Sequence, residues 1–536
     1  MVGQPTLASV QRALPILIYP LVAILITWPA ALDLGGLVPG AERSDVWNSI
    51  WSLWFVHDQL AAGQLPLDTT LLQHPTGGRL VVADPLNGLL GFPLVAAFGP
   101  VVAYTLLVLG HSSFAGIAAH HFGRRLGGTG FVAGLGFQLA PVIVSHIHNG
   151  SSEAVAAGWL PLAALALLAV VERGGAWRIA LAAGAMTLCA ISGWYAGVGA
   201  WCVLAGLLVV KRLPRLALVG ALALGLTAPW AQAVRSVAQA PDGLVDIKND
   251  QDMARLRRTL GAADLRTFVV PGDFRSPDFQ NIEGRPGDYV HTSYLGFALL
   301  GLALLATWRR REVGPWWIAF GLAVVLALGP VVVIDGFPAA LKGRAIPLPY
   351  LALEKLPGFD ALTLLYRISG AAVLALAAMA ELALPRSGDR RKGWIAGALV
   401  GAEFLLLSPT AGLPAASEVP SSTALEALAE APEGAVVNLP VTAGRAYLYE
   451  QVIHGRPLAA SLNTGANRAA LEVLTEARLS EDPVEVARTA EEQGVRYVVV
   501  HKDLLIAEAF IRSAGMIKAH FVLLAEDERV RIYQLY

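Results

Sequence analysis

Charge is what this sequence has least of: 15% of its 536 residues are charged against 55% hydrophobic, where a soluble domain carries roughly a quarter charged. With a mean hydropathy of +0.55, most of the chain must be solvated by lipid. The formal net charge of −1 leaves no global basic field, so a nucleic-acid partner has no electrostatic footprint. Cysteine is nearly absent. Cys189 and Cys202 both fall inside apolar runs without metal or redox spacing, so they read as small buried hydrophobes and imply no disulfide framework. The C-terminal part holds no Gly-rich phosphate loop, which leaves a nucleotide role without a motif.

What is present is apolar sequence in long runs. A helix crossing the hydrocarbon core needs roughly 20 apolar residues, somewhat fewer in a thinned bilayer. The runs that qualify are Ala13–Leu32, Val101–Phe122, Thr129–Ser145, Ala154–Val171, Arg178–Ser192, Tyr195–Val210, Pro214–Ala233, His291–Thr307, Val313–Ile334, Ala361–Leu384 and Gly393–Ser408, about eleven spans. The first exceeds a signal-peptide core and is followed by further spans, which favours an uncleaved helix. Lys and Arg collect in alternate loops: Arg124-Arg125, Arg173 with Arg178, Lys211-Arg212 with Arg215, Arg309-Arg310-Arg311, and Arg386 with Arg390-Arg391-Lys392. By the positive-inside rule these loops are cytoplasmic, the N-terminus lies inside and the C-terminus outside. Counting Asn87–Phe98 as a span would reverse this pattern, so that short segment is expected to be re-entrant or interfacial.

Three predicted outer segments are long, at 33–86, 234–290 and 335–360, and loops of that length are usually functional or separately folded. Residues 1–408 form the expected transmembrane domain. After Ser408 the composition turns charged, and 409–536 reads as a linker and a small α/β domain. Helices are predicted at Thr423–Glu430 and Pro483–Gln493, strands at Gly434–Leu439 and Arg496–His501, and a closing hairpin from Phe521–Leu524 and Val530–Leu535.

The first outer loop carries the densest signal. Trp47, Ile50, Trp51, Trp54 and Phe55 recur at helical spacing, which predicts an amphipathic helix lying in the membrane interface. Asp45, at its start, is either an N-cap or a carboxylate with chemistry to do. His74-Pro75-Thr76-Gly77-Gly78-Arg79 is turn chemistry, or a place where His74 and Arg79 meet a ligand phosphate. His146, His148 and Glu153 fall within one turn-rich loop and could contribute to a divalent-metal site; otherwise the histidines complement a helix C-terminus. Arg367 sits at the outer end of a span, either snorkelling or paired with an anion. Arg266, Arg275, Arg285 and His291 are weaker candidates of the same kind.

This arrangement resembles the GT-C superfamily of membrane glycosyltransferases, and more closely its bacterial multi-span members. A His-Pro-x-Gly segment ends their first loop, a Tyr-Leu-Gly opens a later span and an Arg precedes one of the last; here these are His74-Pro75-Thr76-Gly77, Tyr294-Leu295-Gly296 and Arg367. The resemblance implies a polyprenyl-phosphate-linked sugar donor, transfer to a glycan, lipid or protein acceptor at the outer face, and Asp45 as general base. Many members carry adjacent first-loop acids, whereas here Glu42 and Asp45 are separated, so Glu42 is the second candidate. Arg367, with His74 or Arg79, would meet the departing phosphate. A lipid or polysaccharide transporter, or a non-catalytic scaffold of the same fold, is the alternative. Paired interrupted helices and midplane charges of a transporter are not evident in the sequence.

Overall fold

The computed structural model describes residues 7–81, 84–240, 243–244, 257–258, 261–273, 289–309, 311–356, 358–384, 390–409, 413–441, 444–462, 467–480, 482–502 and 508–536. Arg275 and Arg285, and Arg310 and Arg386 of the positive loops, lie outside them. Among the described residues six helical segments are long and apolar enough to cross a membrane, and four shorter apolar helices accompany them. This is a polytopic helical architecture. Helices Ser369–Ala383 and Phe131–Gln138 are buried along their whole length, so the bundle is built around them. Their small residues let neighbouring backbones approach, as packing in lipid requires.

Two expected spans are cut short. The run from His291 begins as extended chain, and its helix starts only at Phe297; the run to Ile334 stops being helical at Ala327 and ends in a short strand. Breaking a helix in apolar surroundings strands its first N–H groups, which must find acceptors. Glu403 supplies one set, accepting from the amides of Phe297 at 2.5 Å and Ala298 at 2.8 Å. Glu381 does the same at another break, accepting from Thr129 at 2.8 Å and Ala133 at 3.0 Å. Positive helix ends favour these carboxylates.

Asn87–Phe98 belongs to a helical stretch from Pro85 to Arg125 that is interrupted at Gly99, with φ +78°. Its N-terminal half packs on the first-loop helix Val46–Ala61, where Gly88 and Gly91 lie against Val56 and Leu53. At the opposite end of the bundle, Arg125 makes two hydrogen bonds to Glu172 at 2.8 and 2.7 Å, and Arg215 donates to the Val171 carbonyl at 2.6 Å. Three of the positive loops therefore share one end.

The C-terminal residues form a four-stranded sheet. Ala435–Leu439 pairs in parallel with Val495–His501, which pairs antiparallel with Val530–Gln534, and Val522–Glu526 closes the hairpin. These elements agree with expectation. Helices Gly444–His454, Arg468–Leu479 and Glu508–His520 were not foreseen. One sheet face has a core of its own around Val437, Val473, Val486 and Val498. The other shares its core with the loop after the first helix: Trp51, Phe55, Leu72 and Leu80 pack with Leu428, Leu448, Tyr497 and Ile532.

That sharing corrects the interfacial reading of the first-loop helix. Trp47, Ile50, Trp51 and Phe55 are buried in protein rather than presented to lipid. Trp51 donates its indole N–H to Gln451 at 2.7 Å, Trp47 packs on Tyr449 with ring centroids 5.0 Å apart, and strand Leu37–Pro39 pairs with Ala416–Glu418. A helix in the interface would show its aromatic side to headgroups; this one is covered by a second layer of protein. Trp51→Ala is expected to weaken this docking by about 3–5 kcal/mol. Thermal unfolding of the purified chain, with protease cleavage in the 409–415 linker as a second readout, checks it.

Candidate active site

The site grows from three chain segments brought together at one end of the bundle. The loop after helix Pro141–His148 runs against the start of the first-loop helix: Asp45 N donates to the Asn149 carbonyl at 3.0 Å, and Ala41 N to the His148 carbonyl at 2.8 Å. Gly150 has φ +65°, and a Cβ there would lie 2.3 Å from the Val46 nitrogen, so only glycine permits this approach. Asn149 also clamps the extended segment before Phe297, exchanging hydrogen bonds with Val290 at 2.7 and 2.9 Å.

Asp45 precedes the first-loop helix, yet its side chain makes no capping hydrogen bond. One carboxylate oxygen accepts from the Tyr289 hydroxyl at 2.9 Å and pairs with Arg445 Nε at 2.9 Å. The other accepts from the Ser151 hydroxyl at 3.1 Å. Ser151 in turn accepts from an Arg367 nitrogen at 3.0 Å, and Arg367 pairs with Glu153 at 2.5 Å. Asp45 and Arg367 are thus joined through one hydroxyl. The Arg367 side chain is only 5% exposed, stands over the Tyr195 ring at 5.6 Å, and neighbours Tyr366, on which His291 stacks at 4.4 Å. Burying a guanidinium requires such a partner, and Glu153 neutralises it.

Glu42 is exposed and lines an open cavity of about 620 Å³ with His148, Tyr289 and residues 415–418. A second, narrow cavity of about 20 Å³, enough for about one water, lies between Glu153, Tyr195 and Arg367.

Several expected site residues lie elsewhere. His74 is held by the C-terminal domain: its amide donates to Leu458, its carbonyl accepts from Asn467 at 2.7 Å, and its ring abuts Gly494. Arg79 is exposed and lies 3.9 Å from Asp68. Arg266 pairs with Asp335. Tyr294 is buried and donates to Glu403 at 2.6 Å, so it helps cap the following helix. Nor do His146, His148 and Glu153 converge as ligands. His148 Nδ1 accepts from the Ala415 amide at 3.1 Å, His146 lies 6.2 Å from the Tyr366 ring and Glu153 serves Arg367; the described residues hold no cluster of three metal-binding side chains.

Sequence reasoning missed Ser151, Tyr289, Arg445 and Asp84. A single serine, tyrosine or arginine carries no local signal. Asp84 did carry one, an acid followed by proline at a helix start. It caps the Pro85 helix through Asn87 N at 2.9 Å and accepts from Ser152, the neighbour of Ser151, at 2.5 Å. Asn87 continues the cluster to His111 at 2.5 Å. Burial pushes the Asp84 carboxyl up to about 7, the hydrogen bond from Ser152 opposes the rise, and the Glu153 charge adds to it.

Two outcomes are expected. Glu153→Ala strands a buried cation and should cost about 3–5 kcal/mol, largely recovered when Arg367→Met is added; thermal unfolding of the two variants tests this. For Asp84, the folded state holds its proton to about 7 against 3.8 for an ordinary aspartate. Between those values the native state binds more protons than the unfolded one, so its contribution to stability is present below about pH 4 and is lost as pH rises through 7. Asp84→Asn should flatten that slope in unfolding curves taken across the window.

No family model matches the sequence, and no curated protein matches it either; the likeness is structural. The arabinofuranosyltransferase AftD from Mycobacteria superposes with a TM-score of 0.55 at 16% identity, covering 98% of this chain but 39% of that one. The oligosaccharyltransferase of Archaeoglobus fulgidus in the apo form gives 0.51 at 13%, covering 92% and 69%. ArnT from Cupriavidus metallidurans gives 0.50 at 14%, covering 99% of both chains. This chain therefore spans about two fifths of the first of these proteins and nearly all of the last. The many-helix bundle, with a small C-terminal sheet unit docked on the loop after its first helix, is a fold that this chain shares with these proteins.

Proposed function

We propose that this chain is a membrane glycosyltransferase that moves a sugar from a polyprenyl-phosphate-linked donor to an acceptor hydroxyl, with Asp45 as general base. The observation carrying this reading is that the Asp45 carboxylate leaves its helix uncapped and joins a polar network of Tyr289, Ser151 and Arg367, drawn from four segments of the chain.

The chemistry asks for a base because an unactivated hydroxyl is a poor nucleophile. Its oxygen attacks the anomeric carbon, its proton passes to the Asp45 carboxylate, and the bond from that carbon to the phosphate oxygen breaks with the electron pair remaining on phosphate. A positioned carboxylate contributes roughly 100 to 10,000-fold in such a step. Tyr289 and Ser151 hold the carboxylate in one orientation, which is what proximity catalysis requires. Acceptor glycans, lipids and proteins all offer such a hydroxyl.

The site is proposed to face outward, with the N-terminus cytoplasmic and the C-terminus extracytoplasmic. In support, Arg125 with Glu172 and Arg215 with Val171 gather positive loops at the end of the bundle away from Asp45. The C-terminal residues are proposed as a domain resting on the first loop, and a reporter fused after Tyr536 should be active only outside the cytoplasm.

The decisive measurement is transfer of radiolabelled sugar from polyprenyl phosphate donors. Asp45→Asn should lower the rate at least about 100-fold while thermal stability falls by no more than about 1 kcal/mol, since the side chain caps nothing and only the half-exposed Arg445 pair is lost. Transfer near the wild-type rate in Asp45→Asn would remove Asp45 as base and turn attention to Glu42; no transfer by the wild type from any such donor would favour a binding scaffold.

A further inference from the structure

A phosphate leaving group needs a cation, and Arg367 is poorly placed to supply one. Its side chain is only 5% exposed and already paired with Glu153 at 2.5 Å, so an incoming phosphate finds almost no open face of the guanidinium to meet. Arg445 is also paired, with Asp45 at 2.9 Å, but it is more open. Its side chain is 27% exposed, it comes from the C-terminal domain in the helix Gly444–His454, and it stands over the Tyr289 ring at 5.5 Å. Its partner Asp45 also accepts from Tyr289 and Ser151, so Asp45 keeps two hydrogen bonds when Arg445 moves away. A guanidinium matches phosphate geometry as well as it matches carboxylate.

We propose that Arg445 is the ligand for the donor's phosphate group, and that a bound phosphate draws Arg445 off Asp45 and frees the carboxylate to accept the acceptor's proton. The inference rests on the transferase reading above and adds to it a reason for the C-terminal domain: the domain delivers the cation. A carboxylate held by a guanidinium accepts a proton poorly, because protonation ends the ion pair. Exchange of Arg445 onto phosphate therefore couples the base to the presence of donor, and an empty site does not activate a stray hydroxyl. The buried Arg367–Glu153 pair then acts as a fixed wall that orients Ser151.

The test uses the full-length chain in mixed lipid–detergent micelles and a polyprenyl monophosphate without sugar as probe, with the uncharged polyprenol and inorganic phosphate as controls. Arg445→Gln is expected to raise the Kd for the lipid phosphate about tenfold, the range of a charge-assisted hydrogen bond, with no change for polyprenol, and Arg445→Lys to recover part of the loss. Asp45→Asn should bind the lipid phosphate several-fold more tightly than wild type, because the ion pair with Asp45 no longer competes for Arg445, and the Asp45→Asn, Arg445→Gln double variant should lose that gain. A purely structural role for Arg445 predicts no such gain in Asp45→Asn. The proposal is overturned if Arg445→Gln, folded by thermal unfolding, binds within about twofold of wild type, or if Asp45→Asn binds no more tightly than wild type. Inorganic phosphate binding with the same Arg445 dependence and no benefit from the polyprenyl chain would overturn the lipid-donor assignment and leave a free-anion site. If the wild type binds no lipid phosphate at all, the donor class of the transferase reading falls together with this inference; failure of the Arg445 variants alone leaves that reading standing.

Discussion

The helix Val46–Ala61 has to bury apolar side chains in two directions at once, and the structure around the site depends on how it does so. Ile50, Leu53 and Trp47 belong to the core of the bundle, while Trp51, Phe55 and Val56 belong to the core shared with the C-terminal domain. An aromatic side chain buries 150–250 Å², and at roughly 25 cal/mol per Å² each contributes several kcal/mol. With both faces committed, the helix can neither roll nor slide. The orientation of Asp45 at its start follows from that constraint, as does the delivery of Arg445 to it, because Trp51 and Gln451 tie the helix to the element that carries Arg445.

A second constraint is the cost of charge in a low-dielectric interior. Arg367 is tolerated because Glu153, Ser151 and the face of Tyr195 surround it, and the price is that its charge is spent internally. Arg445 lies at the more open edge of the same network, with a side chain 27% exposed against 5% for Arg367. The gradient from a closed ion pair to a half-open one separates a rigid support from a part able to exchange partners. Glu381 and Glu403 obey the same rule elsewhere, each placed where a broken helix leaves amides that need an acceptor.

Much of this was legible in order along the chain. Long apolar runs announced the helices, the return of charge after Ser408 announced the sheet region, and Arg496–His501 read as a strand because Tyr497, Val498, Val499 and Val500 are β-branched or aromatic. Gly444–His454 was not legible: it is buried around most of its circumference, so no polar face marks its period. The Trp-rich helix was recognised as amphipathic but assigned the wrong cover, since lipid headgroups and a protein surface ask the same pattern of a sequence. The span beginning at His291 failed for a related reason. Hydropathy registers apolar residues whether they are helical or extended, and the break before Phe297 is decided by the carboxylate of Glu403, more than a hundred residues away.

By itself the sequence determined that lipid solvates most of this chain, that a charged α/β unit follows the last helix, and that Asp45 stands at the start of an amphipathic helix. Those properties come from the transfer free energies and spacing of neighbouring residues, and neighbours suffice to read them. Only the tertiary structure decided which partners the ionisable groups found: Asp45 with Arg445 and Ser151, and Arg367 with Glu153. A buried charge takes its partner from whatever the packing brings within about 3 Å, and the packing brings together segments that the chain keeps hundreds of residues apart.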